Sequence, residues 1–133
     1  MDKTNVKVKF DIIGEKFLPD DITEKLSLKP SEHWMKGDKI KNKNIERKET
    51  CWTLSTEYEE SYDINDQLKK IVDLLKPKKE VLVNLKNAFS LDYIFNIVIN
   101  VENNEKPAIY LDSETVEFAG EIKAEFGFDL YIF

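Results

Sequence analysis

Between Asp92 and Val101 the chain sets Tyr93, Phe95, Ile97, Ile99 and Val101 at alternate positions and also places Ile94 and Val98 on the opposite face. Period-two alternation marks a β-strand, and apolar residues on both of its faces need cover that a bare sheet edge does not give. This stretch therefore demands a neighbouring strand on each side. The N-terminal run is the natural one. There Val6, Val8, Phe10 and Ile12 alternate with Asn5, Lys7, Lys9 and Asp11, the pattern of a strand with one wet face. A third run, Trp52, Leu54, Thr56 and Tyr58 against Thr53, Ser55 and Glu57, predicts another strand with one buried face.

Between the strands the apolar period changes to that of a helix. Asp20 and Asp21 favour the N-terminus of a short helix carrying Ile22 and Leu26, which cannot pass Pro30. Asp63 is the expected N-cap of a helix with Ile64, Leu68, Ile71, Val72 and Leu75 on one face. Pro77 breaks it and starts a second stripe of Val81, Leu82, Leu85, Ala88 and Phe89, so a kinked pair is expected. After a turn at Asn103 to Pro107, Ala108 to Leu111 is expected to return as a hairpin strand. Asp112 or Ser113 then caps a helix with Val116, Ala119, Ile122 and Phe126 inward, which Gly127 ends as a left-handed cap before a last strand with Phe128, Leu130 and Ile132. The order β-α-β-α-α-β-β-α-β contains, from Trp52 onward, the βαββαβ of a ferredoxin-like core, preceded by a βα extension. The expectation is an α+β fold: one domain over residues 1–133, about five mainly antiparallel strands, and helices mainly on one face.

The net charge of −6 argues against general nucleic-acid binding, which needs a cationic surface. Charge is uneven, however: Lys29 to Lys48 carries seven basic and three acidic residues, a local +4 that leaves −10 elsewhere. No apolar run approaches the ~20 residues of a membrane-spanning helix, and the first residues lack a secretory pattern. Cys51 is the lone cysteine and cannot form an intrachain disulfide. The expectation is a cytoplasmic protein.

The stretch from Ser31 to Trp52 holds both tryptophans, the only histidine and the only cysteine. Lys36 to Glu49 has no sustained apolar period and reads as an exposed loop or loose hairpin. In Trp34-Met35-Lys36-Gly37-Asp38, Gly37 permits a backbone barred to other residues and Asp38 can hold the turn by accepting backbone N–H bonds. Trp52 and Trp34 are expected to be buried together near the first or last helix. In that case the turn is a structural plug.

The aspartate-led turn Leu18-Pro19-Asp20-Asp21-Ile22, then Lys29-Pro30-Ser31-Glu32-His33-Trp34-Met35-Lys36-Gly37-Asp38, then Cys51-Trp52-Thr53-Leu54 and the closing Phe128-Asp129-Leu130-Tyr131 resemble a small bacterial family, domain of unknown function 4279. The resemblance spans nearly the whole chain. It is most specific at the Trp-x-Lys-Gly-Asp turn, at Trp52 and at the terminal Asp-x-Tyr. It implies a stand-alone cytosolic α+β domain with no established activity. Gly37, Trp52 and Tyr131 are read as structural residues.

No motif for catalysis, metal or cofactor binding passes a specificity check. A Cys51–His33 nucleophile pair lacks an orienting partner, and one His with one Cys is too little for a metal site. The acidic pairs Asp20-Asp21 and Glu59-Glu60 read as solvated element ends. What remains is a binding surface of His33, Trp34, Lys36, Asp38, Lys39, Lys41 and Lys43, since Trp and cations are enriched at contact hot spots. The reading is a non-enzymatic protein-binding module of adaptor or immunity type whose partner presents an acidic surface. The alternative is a small-molecule-binding protein or enzyme with a pocket near the Trp34–Asp38 turn, served by His33, Lys36 and Asp38.

Overall fold

The computed structural model describes residues 3–133. Its elements are β1 (Asn5–Gly14), α1 (Pro19–Leu26), β2 (Glu32–Trp34), β3 (Thr50–Ser55), β4 (Glu59–Glu60), α2 (Ile64–Leu75), a 3-10 turn (Lys76–Lys78), α3 (Lys79–Phe89), β5 (Asp92–Val101), α4 (Ser113–Ile122) and β6 (Glu125–Ile132). The strands form one sheet in the order β2-β3-β1-β5-β6, with β4 also paired to β1. All pairings are antiparallel except β5 with β6.

Both flanks demanded by the doubly apolar strand are filled. β1 lies on one side, with Phe10 opposite Phe95, and β6 on the other, with Phe126 opposite Phe95. Val6, Val8, Phe10 and Ile12 of β1 and Tyr93, Phe95, Ile97, Ile99 and Val101 of β5 share one face and are buried beneath the helices. Phe10 packs against both Tyr93 and Phe95, with ring centroids 5.5 and 4.9 Å apart. Trp52, in register with Ile12, has no exposed surface and donates its indole N–H to the Thr23 hydroxyl of α1 at 3.0 Å. The Tyr93 hydroxyl donates to the Leu82 carbonyl of α3 at 2.6 Å. The helices thus cover one face of the sheet and leave the other to side chains.

Asp63 caps α2 by accepting from the Asn65 amide, and the 3-10 turn at Pro77 makes the expected break before α3. On α3, Leu82 and Leu85 are buried, but Ala88 and Phe89 are exposed.

Four expectations are corrected. The segment from Ala108 to Leu111 is not a hairpin strand: its polar groups go to the start of α2, where the Ala108 amide donates to Tyr62 O, the Ile64 amide to Ala108 O and the Asn65 side chain to Tyr110 O. The hairpin that a ferredoxin-like order requires is therefore missing, and β5 reaches its parallel neighbour β6 through α4. Second, α4 stops at Ile122 with Lys123 in the left-handed region, φ 56°, rather than at Gly127. Gly127 lies inside β6, where a Cβ would come 2.5 Å from the Asn96 side-chain oxygen, so its small size serves close approach and not a turn. Third, Phe126 belongs to β6 and stacks on Phe95, and the inner face of α4 is Thr115, Phe118, Ala119 and Ile122, leaving Val116 exposed. Fourth, β3 ends at Ser55. The chain steps outward after Thr56, whose amide and hydroxyl bond to Val8, and Tyr58 is exposed beneath the Lys7 ammonium.

Trp52→Ala removes a ring with no exposed surface and its bond to α1. The expected loss is ~3–5 kcal/mol, against the ~5–15 kcal/mol that holds such a domain together. A denaturant midpoint lowered sharply with an unchanged slope confirms it, and a midpoint within error of wild type refutes it.

Candidate functional site

The sequence from Trp34 to Thr50 builds a pinned hairpin. Gly37 adopts φ 93°, and Asp38 closes the turn: its carboxylate accepts from the Met35 amide at 2.8 Å while its own amide donates to Met35 O at 3.0 Å. The Gly37 amide then donates to Arg47 O, the Arg47 amide to Asp38 O and the Ile40 amide to Ile45 O, at 2.9, 2.7 and 2.8 Å. Lys39 bridges to Glu46, and Asn42 supplies a left-handed residue, φ 63°, at the tip. Lys39, Lys41 and Lys43 are exposed on this frame, and among the described residues none of them is ion-paired.

The two tryptophans do not meet. Trp34 pairs with Cys51, one position from Trp52, and neighbouring strand residues point to opposite faces. Trp34 therefore stands half-buried on the helix-free face, with the Arg47 guanidinium 3.9 Å from its ring centroid. This corrects the expected joint cluster: only Trp52 reaches the first helix. A cleft of about 250 Å³ lies between hairpin and sheet, lined by Ile13, Trp34, Ile40, Ile45, Arg47 and Cys51 among others.

The same alternation separates His33 from Cys51. His33 is paired with Trp52 and exposed on the helix side, whereas Cys51 is buried on the other face. Burial pushes the Cys51 thiol up from 9.0 to about 11 despite its contact with the Thr53 hydroxyl at 3.4 Å. A thiol held neutral and walled off from the imidazole is the opposite of an activated nucleophile.

His33, Lys36 and Asp38 do not converge. Asp38 is spent on the Met35 amide, the Lys36 ammonium sits 3.4 Å from the Glu15 carboxylate and its amide donates to the Thr50 hydroxyl, and the clefts beside the turn include Lys36 but neither His33 nor Asp38. Tyr131, read as structural from its motif, stands half exposed on β6.

Sequence reasoning missed Arg47 as the partner of Trp34, and it missed the polar cluster on the helix-free face. There Asp11, almost fully buried, accepts from the Thr53 hydroxyl and from the Asn96 amide, each at 2.6 Å, linking β3, β1 and β5. The only sequence signal was a carboxylate in mid-strand, which alternation had assigned to water.

The family model for the domain of unknown function DUF4279 matches residues 4–133. The chain belongs to this family. No curated protein and no solved structure matches it. Membership in DUF4279 assigns no chemistry to the Trp34–Asp38 turn, Trp52 or β6. No helix among the described residues of this DUF4279 chain is long and apolar enough to cross a membrane.

Two measurements check this geometry. Cys51 should resist alkylation at pH 8 in the native protein and react on unfolding. Because its folded pKa is raised, its contribution to stability is complete below about 9 and is lost as pH rises through about 11. Rapid native labelling would contradict the burial. Trp34→Ala, which removes a half-exposed ring and one cation–π contact, should cost on the order of 1 kcal/mol, well short of the Trp52 loss. Equal losses in the two denaturation curves would restore the shared-plug reading.

Proposed function

We propose that this protein is a non-enzymatic protein-binding module of adaptor or immunity type that meets an acidic partner surface through the hairpin between β2 and β3. The observation that carries the reading is the presentation of Lys39, Lys41 and Lys43, exposed and unpaired among the described residues, on a hairpin held by its own backbone bonds and by Arg47 over Trp34. A pinned cationic loop on a chain of net charge −6 concentrates its field at one end, which steers encounter with an oppositely charged surface and loses little entropy on binding. Trp34, Ile40 and Ile45 supply the apolar area beside the lysines that a charged rim lacks. The small-molecule alternative draws less support, because His33, Lys36 and Asp38 are turned to separate tasks.

Affinity capture from the native host with the wild-type chain and with Lys39, Lys41 and Lys43 all changed to Glu tests the proposal. The expected result is an acidic protein retained by wild type, released by added salt and lost from the triple variant while its melting temperature holds. Equal retention by both baits would sink it.

A further inference from the structure

The two edges of the sheet are built differently. β2, at one edge, is three residues long, follows Pro30 and leads into the hairpin. β6, at the other, runs for eight residues without a lysine or proline, two of the devices that protect an edge from pairing, and its charged residues are Glu125 at its start and Asp129 on the helix-free face. Along it Phe128, Leu130, Tyr131 and Ile132 are 47, 50, 52 and 61 % exposed, and the adjoining Phe133 is 71 % exposed.

The ladder with β5 fixes which backbone groups are free. The Phe133 amide donates to Val101 O, and in a parallel ladder alternate residues turn both polar groups to the same neighbour. The odd-numbered residues of β6 therefore face β5, and the N–H and C=O groups of Phe128, Leu130 and Ile132 point away from the sheet. The same three side chains lie on the helix-covered face, in register with Ile97, Ile99 and Val101, yet the helix layer leaves them about half open.

We propose that β6 is the interface with a second copy of this chain, the two strands pairing antiparallel about a two-fold axis through Leu130, so that the sheets join into one. The sequence of β6 is self-complementary in that register. Leu130 meets its own copy, Phe128 meets Ile132, and each pair exchanges both backbone hydrogen bonds. On the opposite face Asp129 meets Tyr131, and Phe133 covers the bare backbone of Gly127. An axis through Asp129 would oppose two carboxylates. An axis through Phe128 would leave Phe133 unpaired and match Ile132 with Ala124, outside the strand. With full aromatic areas of 150–250 Å², the five exposed side chains offer roughly 500 Å² per copy, so about 1,000 Å² in total, the lower bound of a specific interface.

Sedimentation of the full chain across roughly 1–500 μM should show a reversible shift from 15.6 kDa to twice that mass. Each copy carries −6, so added salt should tighten the dimer, the opposite of its effect on an acidic partner at the hairpin. Leu130→Lys, which sets two ammonium groups against each other on the axis, should raise the dissociation constant about 100-fold or more with the melting curve retained. Leu130→Cys should cross-link to itself under mild oxidation, while Phe128→Cys should not, since its counterpart is Ile132. A wild-type chain that stays monomeric across the range overturns the proposal, as does a dimer unaffected by Leu130→Lys. Self-linking at position 128 but not at 130 overturns the two-fold through Leu130.

Discussion

The position of β1 in the middle of the sheet governs everything else. This first strand pairs with β3 through Phe10 and Leu54, with β5 through Phe10 and Phe95, and with β4 at its start, so each ladder joins residues far apart in the chain. Non-local pairing of this kind carries a loop-closure cost before its contacts repay it. The compensation is the density of aromatic and β-branched side chains along one face, where Phe10 packs on Tyr93 and Phe95, Trp52 joins the same core, and α1 and α3 fasten to Trp52 and Tyr93 by hydrogen bonds. Those two bonds orient the helices, because a buried indole or phenol must find a polar partner.

The helix-free face is stabilised by different means. Its centre is a carboxylate, and a buried Asp11 is tolerable because the Thr53 hydroxyl and the Asn96 amide both donate to it. Asn96 in turn needs Gly127 opposite, since any side chain there would collide with its oxygen. The chain of dependence runs Thr53, Asp11, Asn96, Gly127 across four neighbouring strands and fixes their register more sharply than apolar contact alone.

What could be read beforehand follows from this division. The apolar periods of β1, β5, α1 and α2 mark their faces directly, and Asp63 and Pro77 mark helix boundaries by local chemistry, so these elements were legible. Ala108 to Leu111 was not, because β-like residues there serve the N-terminus of α2, a tertiary demand no local pattern contains. Gly127 was misread because a glycine needed for close approach and one needed for a left-handed cap look alike in sequence. The Trp34 turn was legible as a turn, with Gly37 and Asp38 in their expected tasks. Its side of the sheet was not, because that depends on the register of β2 with β3, and a shift of one residue reverses every side chain.

Lysine shows the same limit of composition. Lys76 and Lys79 reach across the helix layer to Glu114 and Glu121 of α4, and Lys70 to Glu59 of β4. Such exposed pairs contribute roughly 0–1 kcal/mol each, little for stability, and they neutralise only the carboxylates they touch. Within the hairpin Lys36 pairs with Glu15, whereas Lys39, Lys41 and Lys43 close no ion pair among the described residues and stand exposed. These pairs engage only a few of the 26 acidic residues, so the chain keeps its negative sign over most of its surface while the hairpin carries the local excess of lysine. The field that an approaching molecule meets at the hairpin is therefore set by the local run of Lys39, Lys41 and Lys43, whose sign opposes the net charge of −6.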